Sequence, residues 1–223
     1  MLQMVRHACM EYRYKFLEKI GKPIIKPWMR YREIEIIEEI LRNLKPRKCL
    51  EWGAGYSTIR FPKILERNAK WISIEHEHEW FLKIQDNKNS NTALFYIPPN
   101  KFPWTDEFGD GCYSDLKDYI EFPRRFGKFD FVLIDGRARA DCLVESYELV
   151  KDFGVVVLHD ANRKHYHQNF QLYQYQVLFK DYRQDEGGLW IGSKGVDIRQ
   201  IFDVDKHKNL WKNVSRFGKA LGI

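Results

Sequence analysis

The sequence predicts an α/β fold: a mostly parallel sheet with helices on both faces and an antiparallel hairpin at its C-terminal end. Three observations predict it. Short apolar runs alternate with stretches of helical periodicity between residues 48 and 158, the pattern of βαβ units. Two of those runs, FDFVLID (129–135) and VVVL (155–158), are apolar at nearly every position, as strands covered on both faces must be. A glycine-bearing turn, Gly53-Ala54-Gly55, follows the first strand and opens a helix, the place where such sheets hold ligands.

The elements follow in order. A helix is predicted from Met10 to Ile20, broken at Gly21-Lys22-Pro23 and again at Pro27. From Tyr31, apolar Ile34, Ile37, Leu41 and Leu44 share one helical face until Pro46 stops it. Lys48–Trp52 reads as a strand, Ser57–Asn68 as a helix, Trp71–Glu75 as a strand, Glu79–Asn87 as a helix and Ala93–Ile97 as a strand ended by Pro98-Pro99. The two apolar strands then flank a helix at Arg139–Val150. Tyr175–Tyr182 alternates, Asp185-Glu186-Gly187-Gly188 is a turn, and Leu189–Ile191 returns, which makes the hairpin. Residues 100–112 and 161–172 read as insertions after strand ends, on the ligand side of the sheet.

Composition narrows the class. With 223 residues, 44% hydrophobic and 30% charged, the chain is globular rather than disordered. No apolar run approaches the ~20 residues that cross a bilayer, and the N-terminus lacks a signal-peptide core. Cys9, Cys49, Cys112 and Cys142 have no CxxC or zinc-finger spacing, so reduced thiols in a cytoplasmic compartment are expected. The net charge of +6 resides in residues 1–50, which hold 12 Lys+Arg against 6 Asp+Glu. Such a segment is a solvated helical surface or a grip on an anionic partner.

The glycine turn reads G-x-G-x-x-T, because Thr58 stands where a dinucleotide fingerprint has its third glycine. That argues against NAD or FAD. Ser57 and Thr58 either cap the helix or donate hydrogen bonds to a ligand carboxylate. Glu75 ends the next strand, where an acidic side chain accepts from both hydroxyls of a ribose, while Glu77 and Glu79 read as helix surface. Together, Glu51-Trp52-Gly53-Ala54-Gly55-Tyr56-Ser57-Thr58, Ile74-Glu75-His76 and the terminal hairpin resemble the class I S-adenosylmethionine (SAM)-dependent methyltransferases over residues 31–195. The resemblance implies a Rossmann-like seven-stranded sheet and a SAM cofactor held by Glu51, Gly53, Ala54, Gly55, Ser57, Thr58, Glu75 and His76. Where many members carry a polar residue for the adenine, this chain has Tyr96-Ile97-Pro98. It also divides the chain into a helical extension (1–30), the methyltransferase domain (31–200) and a tail (201–223).

Asp135 and Asp160 end the two buried strands, and both should project from one sheet edge. Methyl transfer to a hydroxyl needs the proton removed. Two arrangements answer that need. Either Asp135 or His159 is a general base, or Asp135 and Asp160, with Asn162, bind Mg²⁺ to polarise the acceptor. Asp135 has a structural alternative as the N-cap of the following helix. Arg137 and Arg139 flank the site as anion or diol binders, unless Arg137 pairs with Asp141. Trp104, with Phe102, Phe108 and Tyr113, forms a stacking platform or the small core of a loop. Tyr166, Tyr173 and Tyr175, with His165 and His167, read as a polar aromatic surface.

The acceptor follows from elimination and resemblance. The body is neutral, no RNA-binding module is appended, and the N/D-P-P-Y/F loop of amino-methylating families is replaced by Asp135-Gly136-Arg137-Ala138. The LEWGxGxST…DGRxR pattern looks like methyltransferases associated with glycan modification. O-methylation of a small polar acceptor, a sugar above all, is the expectation. An RNA methyltransferase using residues 1–50, a metal-dependent catechol-type enzyme, a NAD-dependent reductase and a non-catalytic SAM-binding module are the rivals.

Overall fold

A computed structural model describes residues 2–22, 25–181 and 187–221. Seven strands form one sheet: β1 Lys48–Trp52, β2 Lys70–Glu75, β3 Thr92–Tyr96, β4 Phe129–Ile134, β5 Val150–His159, β6 Tyr175–Phe179 and β7 Leu189–Ser193. Their spatial order is β3-β2-β1-β4-β5-β7-β6. Strands β1 to β5 pair in parallel, and β7 runs antiparallel to both β5 and β6. The order reverses between β1 and β4, so the loops leaving those two strands diverge and open a crevice at the carboxyl edge.

Alternation along each strand divides the core into two layers. Cys49, Trp71, Phe131, Leu133, Val155, Val157, Leu189 and Ile191 pack on one face, with the apolar stripe of α2 (Tyr31–Leu44). Leu50, Trp52, Ile72, Ile74, Val132, Ile134, Val156, Leu158 and Trp190 pack on the other, beneath α5 (Tyr113–Glu121) and α6 (Arg139–Leu149). The remaining helices are α1 (Leu2–Lys19), α3 (Tyr56–Arg60), α4 (His78–Gln85) and α7 (Val204–Leu221).

The structure corrects several element bounds. The helix expected over Ser57–Asn68 is cut to five residues, and a 3₁₀ turn, Phe61–Ile64, replaces its continuation. Pro62 lacks the N–H that the α-helical ladder would need there. Strand β5 begins at Val150, five residues before its expected start, and its pairing with β4 shifts between Phe129 and Phe131. The segment 161–172 holds a 3₁₀ helix, Lys164–Leu172. Helices α5 and α7 were not expected. Trp211 anchors α7, with its ring 5.3 Å from that of Phe179 and its Nε1 donating to the Lys180 carbonyl at 2.8 Å. The expected break at Pro23, the end of β6 at Tyr182 and turn residues Asp185 and Glu186 lie outside the described residues. No helix among the described residues is long and apolar enough to cross a membrane.

Candidate active site

The turn after β1 is built against the turn after β4. Gly53 has φ +92°, and a Cβ there would stand 2.4 Å from both Cα and N of Gly136. Its missing side chain is therefore required by the crossing of two backbones. Gly55 differs: a Cβ there would meet only Ser57 Oγ, at 3.7 Å, and the residue borders the crevice. Of the two glycines, Gly55 is the one that leaves room for a ligand.

Glu51 is not at the crevice. It shares the parity of Cys49 and turns into the sheet face below α3, fully buried. Its Oε1 accepts from Ser57 Oγ at 2.5 Å. Its Oε2 accepts from Thr58 Oγ1 (2.6 Å), Trp71 Nε1 (2.8 Å) and Ser73 Oγ (2.8 Å). The hydroxyls expected to donate to a ligand carboxylate thus donate to Glu51, and Thr58 Oγ1 also accepts from Gly55 N (3.0 Å). Glu51 is the internal brace of the turn. Burial pushes its carboxyl up to about 7 against those four donors. The native state holds this proton more tightly than the unfolded chain, so stability falls as pH rises from about 4.5 through 7, by on the order of 3 kcal/mol. Urea unfolding at pH 5 and pH 8 should show that loss in the wild type and a much smaller one in Glu51→Gln.

Glu75 closes the turn from the other side. Its Oε2 accepts from Ala54 N at 2.7 Å, and its Oε1 from His76 N (2.9 Å) and Glu77 N (2.8 Å). A carboxylate offers about four acceptor positions; these backbone donors take three, and His76 Nδ1 also stands 2.9 Å from Oε1. His76 borders the crevice, backed by Trp104 and Tyr119 at ring distances of 5.9 and 5.7 Å. Trp104 itself packs over Gly111 and does not line the crevice, nor do Phe102, Phe108 and Tyr113.

The ends of β4 and β5 carry a charged cluster. His159, on the parity of Val155 and Val157, faces α2: its Nδ1 lies 2.8 Å from Asp135 Oδ1 and its Nε2 3.4 Å from Glu33 Oε2. Arg139 Nη1 donates to the His159 carbonyl (2.9 Å) and Asp160 Oδ2 (3.0 Å), Nε to the Gly136 carbonyl (2.9 Å), and Nη2 stands 3.5 Å from Asp135 Oδ1. Asp160 adopts a left-handed backbone, φ +55°, with Gly187 N donating to its Oδ1 at 2.8 Å. Burial opposes a charged imidazole, but Asp135, Asp160 and Glu33 outweigh it and raise His159 well above its ordinary range. Burial would likewise raise Asp160, yet His159 and Arg139 hold it far below the usual carboxylate range. His159 is thus held toward its charged form, and its Nδ1 is taken up by Asp135.

The donor set does not fit Mg²⁺. The guanidinium of Arg139 lies between the two aspartates, and the Asn162 amide accepts from Asp181 N (3.0 Å) and donates to its carbonyl (3.2 Å). A hard dication needs several oxygen ligands converging on one point. Among the described residues no group of three His, Cys, Asp or Glu side chains is so arranged.

The crevice is a cavity of about 730 Å³. Gly53, Ala54, Gly55, Ser57, Glu75, His76, Asp135, Arg137, Arg139, His159 and Asp160 border it; Glu51, Thr58 and Trp104 do not. Its outer wall was missed: Glu11, Tyr14 and Lys15 of α1, the segment 26–30, and Glu33 of α2. Glu11 fastens α1 there, accepting from Tyr31 N at 2.6 Å and facing Lys26 Nζ at 3.6 Å. Tyr56 and Trp80 extend that wall with Trp28, whose ring meets Trp80 edge-on at 5.1 Å. A further unforeseen residue is Asp110, 2% exposed. Its carbonyl accepts from Ala138 N (2.8 Å), and its Oδ2 accepts from Arg139 N (3.2 Å) and Tyr166 Oη (2.9 Å). It caps α6, the role considered for Asp135, and frees Asp135 for the cavity. Tyr166 and Tyr173 are buried rather than part of a surface, and Arg137 faces Asp110 rather than Asp141.

No protein-family profile matches the chain, and no curated protein matches it in sequence. Solved structures do match in shape. A putative O-methyltransferase from Klebsiella pneumoniae superposes with a TM-score of 0.57 at 12% identity, over 80% of this chain and 86% of that one. The O-methyltransferase from Bacillus cereus, solved in complex with S-adenosylhomocysteine (SAH), gives 0.57 at 12% identity over 84% and 91%. A putative caffeoyl-CoA O-methyltransferase from Staphylococcus aureus gives 0.57 at 16% identity over 87% and 96%. Strand order, the reversed seventh strand and these likenesses together establish that the chain has the Rossmann-like fold of the class I SAM-dependent methyltransferases.

Proposed function

We propose that the protein is a SAM-dependent O-methyltransferase acting on a hydroxyl of a small polar acceptor, a sugar or glycan. The observation that carries this reading is the cavity at the switch point, where the open side of Gly55 and the Glu75 carboxylate meet the charged ends of β4 and β5. Gly53, Ala54 and Gly55 would hold the methionine part of SAM, and Glu75 with His76 the nucleoside. When bound, SAM supplies an electrophilic methyl group.

The chain's own residues supply the rest. Asp135 Oδ1 is held by His159 and faces Arg139, while Oδ2 has no partner among the described residues. A carboxylate fixed on one oxygen and free on the other is a positioned general base for an acceptor hydroxyl. His159, whose charged form its carboxylate neighbours favour, orients Asp135 and shares with Arg139 the balancing of their negative charge. Arg139 ties the ends of β4 and β5 into one rigid edge, so the base is held in place before the acceptor arrives.

Calorimetry tests the cofactor. SAH should bind with a dissociation constant on the order of micromolar, within the range of ordinary cofactor sites. Glu75→Gln, which turns an amide N–H toward a backbone donor, should weaken it about tenfold or more. Binding of NADH in place of SAH would overturn the reading. Labelled SAM offered with nucleotide sugars, oligosaccharides, catechols and RNA then identifies the acceptor, and labelling of RNA or catechol alone would refute the sugar.

A further inference from the structure

The acceptor's chemistry can be read from two groups the reaction leaves unused. Glu33 is 1% exposed, yet it borders the cavity. Its Oε2 accepts from Arg30 N at 2.6 Å and faces His159, while its Oε1 is buried with no hydrogen-bond partner among the described residues. A buried carboxylate oxygen left without a donor is costly. At the edge of a ligand cavity, the ligand is the natural source of the donor. That donor is a hydroxyl rather than an ammonium, because positive charge is already at hand: His159 stands against Glu33 on one side and Lys26 lies within its field on the other.

The second group is Arg137. Its backbone is fixed on both sides, by Gly136 packed on Gly53 and by Ala138 N donating to the Asp110 carbonyl. Its guanidinium is 41% exposed, borders the cavity and, among the described residues, meets only the Gly109 carbonyl at 3.4 Å and Asp110 Oδ1 at 3.8 Å. Asp110 has nearer donors in Tyr166 Oη and Arg163 Nη1. Arg137 is thus a cation on a rigid support with most of its planar fork unspent, the form that suits a carboxylate or phosphate. Lys15, exposed on α1, adds a second cation to the same wall.

We infer that the acceptor is an anionic sugar, whose hydroxyl donates to the free oxygen of Glu33 and whose carboxylate or phosphate is gripped by Arg137. This rests on the cavity being the acceptor site proposed above. Saturation-transfer NMR on the full chain, with and without SAH, tests it with four probes: glucuronate, glucose phosphate, glucose and glucosamine. One of the two anionic probes should bind about tenfold tighter than glucose, as a charge-assisted pair provides, and which one binds tells carboxylate from phosphate. Arg137→Gln, at an exposed side chain, should erase that advantage while leaving the weaker glucose signal and the melting temperature in place. Glu33→Gln should weaken the anionic probe and glucose by similar factors and leave SAH affinity unchanged. Equal binding of glucose and the anions, preference for glucosamine, or silence from all four with and without SAH would each overturn the inference. Loss of SAH binding with the sugar pattern intact would instead sink only the cofactor assignment.

Discussion

Gly53→Ala should cost the fold roughly 3 kcal/mol, the sum of a left-handed backbone and an overpacked contact, whereas Gly55→Ala should cost almost nothing and abolish ligand binding. The two glycines stand two residues apart in one turn but answer to different neighbours. At Gly53 the new methyl would sit 2.4 Å from the Gly136 backbone and 2.7 Å from the Asp135 carbonyl carbon, and neither can yield without parting β1 from β4. The backbone φ of +92° adds a penalty whatever space is found. For a chain of this size the loss should appear as a fall of about 6–12 °C in Tm. At Gly55 the backbone is extended, and the added Cβ meets only an ordinary contact with Ser57 Oγ. Its methyl fills the cavity rather than the core, so thermal melts should overlay the wild type while calorimetry with SAH shows no heat. A large drop in Tm for Gly55→Ala, or unimpaired SAH binding by it, would show that the cradle faces elsewhere.

The sheet was legible because its signals are local. A nearly all-apolar run bounded by turn residues identifies β4 and the second half of β5 without reference to anything distant, and Gly53-Ala54-Gly55 between a strand and a helix marks the switch point. The same parity that divides the core also tells where side chains go. Glu51 alternates with Leu50 and Trp52, so its turn into the sheet face, away from the ligand edge, was open to reading and was obscured by the motif. Glu33 carried a comparable sign: it lies four residues before Ile37 and seven before Ile40, on the apolar stripe of α2, where a carboxylate needs a reason. Asp110 carried none. It meets α6 and Tyr166 across 29 and 56 residues of chain, and nothing local to its loop distinguishes it from Asp106. Helix α7 did carry a local signal, since Leu210, Trp211, Val214, Phe217 and Leu221 recur at helical spacing; what the sequence could not show is where it docks, because Trp211 finds Phe179 and the Lys180 carbonyl only once the hairpin exists.

Asp135→Asn should leave SAH affinity within about twofold of the wild type and lower methyl transfer to the screened acceptor by roughly 10²–10⁴, the usual contribution of a positioned base. The amide matches the carboxylate in size and can still accept from His159 Nδ1, so the edge keeps its geometry, but it cannot take a proton. The substitution also has a signature that a merely structural role would not produce. Three carboxylates raise His159 against burial, and removing the one at 2.8 Å brings its folded value down toward the ordinary histidine range. A histidine raised in the folded state contributes stability that is complete below about pH 6.5 and is lost as pH climbs through the folded value. In the wild type that loss should come well above neutrality. In Asp135→Asn it should come at lower pH, visible as a shifted alkaline limb in urea unfolding between pH 6 and 10. Asp160→Asn, which removes a carboxylate 3.9 Å from the same ring, should move the limb in the same direction by less, because that charge is more distant, while sparing far more of the methyl transfer. Equal loss of turnover in both variants would assign the chemistry to the charged edge as a whole rather than to Asp135.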